Sequence, residues 1–76
     1  MTDQPVPEGF VPYQPVSPFM ETLGPLFTCF EPPDVYRVGL YLRPSHCNLA
    51  GGVHGGVVAS LCDITLARAV RARELT

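Results

Sequence analysis

The sequence predicts an α+β fold: two short antiparallel strands followed by one long helix. Three observations carry this expectation. Residues 35–43 alternate in period two, with Tyr36, Val38, Leu40 and Leu42 forming an all-apolar face. A short apolar run at residues 26–30 precedes them, and Pro32-Pro33-Asp34 supplies the turn between the two. From Val53 the apolar spacing becomes helical, with Val57, Leu61, Ile64 (or Thr65) and Ala69 on one stripe and Val58, Cys62, Leu66 and Val70 beside it.

Taken in order, the chain begins with an arm at residues 1–17, followed by one domain at residues 18–76. Prolines at 5, 7, 12, 15 and 18 each remove a backbone donor and fix φ, which excludes a helix interior or a central strand there. Ser17-Pro18 reads as a cap and first-turn pair, opening a short helix over residues 18–23 that Gly24-Pro25 stops. Phe19, Met20 and Leu23 would form its apolar face. The second strand is expected to run until Pro44, and residues 45–52 form a loop. Between Val57 and Ala67 the one charge is Asp63, so the long helix is apolar nearly all round and is expected to be buried. A membrane span is not expected: residues 50–67 hold His54, Asp63 and four glycines.

Composition narrows the classes. Glycine and proline make 16 of 76 residues (7 and 9), and eight of the prolines lie at or before Pro33, so the irregular structure is concentrated at the front. A net charge of -2 and the absence of lysine argue against a nucleic-acid partner. Arg68, Arg71 and Arg73 cluster near the end, where cations suit a helix C-terminus. Cys29, Cys47 and Cys62 are an odd count without a CxxC pair, which argues against a disulfide framework and for a reducing compartment. The first residues lack the basic flank and apolar core of a secretion signal, and a cytoplasmic location is expected.

The chemistry gathers in residues 46–63, HCNLAGGVHGGVVASLCD. Gly55-Gly56 stands at the head of the long helix, where the first N–H groups lack internal partners and can hold a carbonyl oxygen as it becomes an oxyanion. Glycine also permits close approach to the backbone. Asp63 is a carboxylate on a helix expected to be buried, with no basic residue three or four positions away, which suits it equally to general-base work or nucleophilic attack and to a hydrogen bond with a further strand. Asn48 could hydrogen-bond the helix start or orient a substrate carbonyl or a water. His54 could set the loop by a side-chain hydrogen bond or polarise the carbonyl. Either histidine alone is more often structural, and His46 and Gly56 are candidate substrate contacts. A Cys47/His54 nucleophile pair leaves Asp63 without a role. Zinc binding by His46, Cys47, His54 and Cys62 lacks a standard ligand spacing, so no metal or other cofactor is expected. Eight positions separate Gly55 from Asp63, roughly 12 Å along a helix. One carbonyl carbon cannot sit within reach of both. Two helices packed antiparallel across a two-fold axis can bring Gly55 of one copy beside Asp63 of the other.

With these residues in place, the chain resembles the hotdog-fold thioesterases of the PaaI-like type. The resemblance rests on SPF at 17–19, GPLF at 24–27, HCNLAGGVHGG at 46–56 and LCD at 61–63, and runs from Pro18 to the last residue. It implies a long central helix wrapped by an antiparallel sheet, of which this chain would hold the front half. It also implies homodimers or homotetramers that hydrolyse an acyl-CoA to free acid and CoA without a metal. Carried onto this sequence, Asp63 would be the general base or nucleophile, Gly55 the oxyanion donor, and Asn48 and His54 the groups that orient thioester or water. The resemblance implies subunits about twice as long, with a Ser or Thr on a following strand that assists the carboxylate and has no counterpart in residues 1–76. The competing class is a non-catalytic hotdog fragment or an acyl-CoA-binding accessory.

Overall fold

The computed structural model describes the backbone of residues 4–74 and the side chains of residues 4–72. Its elements are β1 (Val11–Pro12), α1 (Pro18–Leu23), β2 (Leu26–Glu31), β3 (Val35–Leu40), a 3-10 turn (Pro44–His46) and α2 (Gly55–Glu74). Contacts divide the chain between Tyr41 and Leu42 into two compact units. The architecture is α+β, with an antiparallel sheet in the order β1-β2-β3 in the first unit and α2 in the second.

The short helix forms where its caps predict. Ser17 is extended and its Oγ accepts the Met20 N–H at 3.2 Å, while Pro18 occupies the first turn, where no donor is needed. Gly24 ends it at φ 103°, a left-handed conformation that favours glycine, and donates its N–H to Glu21 O at 3.2 Å. Leu23 is buried and Met20 half-buried, whereas Phe19 is 56% exposed. Ser17→Ala is expected to lower stability by about 1 kcal/mol. A urea unfolding midpoint that does not move would remove the cap from the account.

The register of β2 and β3 puts Leu26, Thr28 and Phe30 opposite Leu40, Val38 and Tyr36, so the alternating apolar face of β3 meets the matching face of β2. The Phe30 and Tyr36 rings lie 4.7 Å apart. On the other face Phe27 packs edge-on against Tyr41 at 5.8 Å. Tyr13, Leu23, Leu26, Phe27 and Thr28 form the buried centre of this unit.

Two expectations are corrected and one is extended. The arm, which its prolines bar from a helix interior or a central strand, is an extended edge strand: Val11 and Pro12 pair with Thr28 and Phe27, and Tyr13 N–H donates to Leu26 O at 2.9 Å. The Tyr41 hydroxyl donates to Pro5 O at 2.9 Å. An edge strand tolerates Pro12 because its outward side needs no donor, so proline density did not exclude a third strand. Next, β3 stops at Leu40 rather than near Pro44, and Leu42 is 55% exposed. Leu40 pairs with Leu26, the first residue of β2, and the residue before it, Pro25, has no N–H to extend the ladder. Last, α2 is not buried all round. Ile64 is buried and Val57, Leu61, Arg68 and Ala69 are half-buried, but Val58, Leu66 and Val70 are 51%, 66% and 54% exposed. Burial of an all-round apolar helix needs cover on two sides, and the described residues cover one.

No helix among the described residues is long and apolar enough to cross a membrane. Arg71 at the end of α2 is exposed, and the Arg73 side chain lies outside the described residues.

Candidate active site

The loop before α2 is built by its own polar groups. The 3-10 turn (Pro44–His46) begins on a proline, and His46 is 3% exposed. Arg43 N–H donates to His46 Nδ1 at 2.9 Å, and His46 N–H donates back to Arg43 O at 2.9 Å. Cys47 N–H bonds Pro44 O at 3.0 Å, and Cys47 then pairs with Val53 in an antiparallel bridge. Between them the chain turns on Asn48. Its Oδ1 accepts the N–H groups of Ala50 (3.0 Å) and Gly52 (3.1 Å), and its N–H donates to Gly52 O at 2.8 Å. This is the side-chain mimicry of a backbone turn for which asparagine is suited. The Asn48 amide nitrogen makes no hydrogen bond among the described residues and remains available as a donor. Leu49, at the tip, projects fully into solvent.

His54 joins this loop to the helix. Its N–H donates to His46 O at 2.8 Å, and its carbonyl accepts the N–H groups of Val57 (2.9 Å) and Val58 (3.3 Å). Its ring completes the cap, because Nδ1 accepts the Gly56 N–H at 3.0 Å. An accepting Nδ1 assigns the neutral ring its proton at Nε2, which is then a donor. A Cβ at Gly56 would stand 3.3 Å from Nδ1, so glycine at this position makes room for the capping ring. At Gly55 the situation is reversed. A Cβ there would meet nothing within 4 Å, and the Gly55 N–H has no acceptor among the described residues. The two glycines thus do different work: one admits the imidazole, the other leaves a helix-terminal donor open.

The structure brings His46, Asn48, His54, Gly55 and Gly56 into one loop and helix head. Asp63 stands apart, two turns further along α2, and is exposed. The desolvation expected from a buried helix is therefore absent in the single chain, because Asp63 lies on the uncovered face with Leu66 and Val70. His46, expected to contact substrate, is buried and holds the turn. Cys47, Asn48, Leu49, Ala50 and His54 line an open concavity of about 610 Å³. A second cleft, of about 490 Å³, lies within the first unit between Tyr13, Met20, Leu26 and Phe27 and contains none of the candidate residues. Among the described residues no three His, Cys, Asp or Glu side chains stand close enough to hold a metal ion. Sequence reasoning missed the Arg43 backbone, whose N–H fixes the His46 ring. The alternation through residue 43 puts Arg43 at the end of a strand, whereas Pro44 following it signals that the turn starts there.

No family model matches the sequence, and no solved structure matches it. Among curated proteins the chain is 38% identical over 65 residues to a Pseudomonas aeruginosa protein named "Putative esterase PA0474". The match covers 86% of this chain and 48% of that protein, so the chain spans about half the length of this relative.

Proposed function

We propose that this chain carries the front half of a PaaI-like hotdog thioesterase, hydrolysing an acyl-CoA at a site shared between two subunits. The observation that carries the reading is the head of α2, where Gly55 N–H stands without an acceptor among the described residues and beside a fixed His54 ring. The esterase name of the relative supports hydrolysis of an acyl bond. The three-stranded antiparallel sheet followed by a 20-residue helix is compatible with part of a hotdog fold.

In this reading the thioester oxygen accepts from Gly55 N–H, with His54 Nε2–H as a second donor. The Asn48 amide nitrogen orients the carbonyl or the attacking water. Asp63 of the partner subunit takes a proton from water as the hydroxyl adds to the acyl carbon, and the oxyanion gathers on the helix donors. Collapse of the tetrahedral intermediate breaks the C–S bond, and the proton held by Asp63 passes to the departing thiolate. Attack by the carboxylate itself, through an anhydride that water then opens, uses the same placement. The separation of roughly 12 Å along one helix supports a site whose Asp63 and Gly55 come from different subunits. The exposed Leu66 and Val70, on the same side of α2 as Asp63, support a face that a second copy covers. That cover would also supply the desolvation the single chain lacks.

The test is a panel of acyl-CoA thioesters and matched oxygen esters, read by thiol and acid release. Thioester turnover with little oxygen-ester turnover is expected. Saturable acyl-CoA binding without any thiol release would instead favour a non-catalytic, acyl-CoA-binding role.

A further inference from the structure

Two imidazoles hold the loop that delivers Gly55, and both do so through an unprotonated Nδ1. Arg43 N–H donates to His46 Nδ1, and Gly56 N–H donates to His54 Nδ1. The two are tied through the backbone by His54 N–H on His46 O. An imidazole that gains a second proton donates from both nitrogens and accepts at neither. Protonated His54 would therefore set an N–H against the Gly56 N–H across 3.0 Å. Its charge would also stand at the positive end of the α2 macrodipole. Both effects oppose the cap as pH falls.

The surroundings do not offset this. His54 is exposed, so protons reach it without unfolding. Its concavity is otherwise lined by Cys47, Asn48, Leu49 and Ala50, of which Cys47 alone titrates. The nearest charged side chain along α2 is Asp63, nine positions on, and no carboxylate pairs with His54 among the described residues. His46 meets it through the backbone carbonyl. A contact that needs an unprotonated Nδ1 is lost when the ring takes up a second proton.

We propose that His54 is a proton-sensitive positioning residue. Neutral, it caps α2 and holds Gly55 N–H in place; protonated, it releases the junction between the loop and the helix. The oxyanion donor is then presented only where this ring is neutral. The consequence for turnover rests on the thioesterase reading, whereas the cap and its release do not.

The experiment follows the ¹⁵N-labelled full chain from pH 8 to pH 5, reading the His54 ring shifts and the Gly56 amide protection factor together. Gly56 protection is expected to fall roughly tenfold in step with the His54 titration. His54→Asn supplies a side-chain oxygen that accepts the same bond and does not titrate, so its protection is expected to stay flat. His54→Ala is expected to show low protection throughout; if it does not fold, the Asn variant decides alone. Gly56 protection that ignores the His54 titration, or that falls equally in the Asn variant, overturns the proposal. A normal Gly56 response with no thioester turnover at any pH supports the proposal and counts against the thioesterase reading instead.

Discussion

Asp63→Asn is expected to lower thioester turnover by roughly a thousandfold while leaving the unfolding midpoint within experimental scatter. Asparagine keeps the size and one oxygen of the side chain but can neither take a proton from water nor attack as a carboxylate. Because Asp63 is exposed and makes no ion pair among the described residues, the single chain loses no partner on substitution. A rate loss accompanied by an equal loss of folded protein would assign Asp63 to structure rather than chemistry. Near-normal turnover would remove it from the mechanism altogether.

The shared geometry gives this prediction a second arm. Gly55→Pro removes the proposed oxyanion donor at the first helical position, where proline is tolerated because the N–H has no helical partner. Gly55→Ala retains the donor, and its Cβ would meet nothing within 4 Å. The alanine variant is therefore expected to keep most activity and the proline variant to lose it. Mixing Asp63→Asn with Gly55→Pro subunits is expected to restore part of the activity, since each mixed dimer carries one intact site. Each variant folding and pairing without any recovery would place donor and base in one subunit, against the separation along α2.

The largest expected stability effect belongs to Phe27→Ala. Phe27 is 5% exposed, packs edge-on against Tyr41 and lies opposite Gly39, on a strand paired on both sides. Emptying such a site costs about 3–5 kcal/mol. Small domains hold only roughly 0.05–0.15 kcal/mol per residue in total, so the loss should be visible as a partly unfolded population. Phe30, on the opposite face of the same strand, is 50% exposed although its ring lies against Tyr36. Phe30→Ala is expected to cost less than about 1 kcal/mol. Urea unfolding followed by circular dichroism compares the two. Equal losses would mean that burial of the Phe27 ring is not what holds the sheet.

Local chemistry was legible wherever a residue's neighbours in sequence are also its partners in space. Ser17-Pro18 and Gly24-Pro25 predict α1 because caps act within one turn. Pro32-Pro33-Asp34 predicts the reversal between β2 and β3, and their alternation predicts the matched faces. Gly55-Gly56 predicts the helix head for the same reason. The pairing of the arm was not legible because Val11 and Tyr13 are satisfied by β2, more than ten residues away, and nothing near them in sequence announces that. The end of β3 was not legible because it is set by Pro25, just before the neighbouring strand, rather than by Pro44 further along its own segment.

The sequence by itself therefore determined the α+β class, the reversal at Pro32-Pro33, the position of α2 and the loop of candidate residues. Each follows from steric and hydrogen-bonding rules acting over a few residues. Tertiary structure alone decided which groups remain open for chemistry. It turned the His54 ring onto Gly56, left Gly55 N–H without an acceptor among the described residues, and spent His46 on the Arg43 backbone. It also put Asp63 on the uncovered face of α2, where an apolar count along the helix had implied burial. Apolar spacing records which side chains can be covered. Only the packed chain shows which of them are.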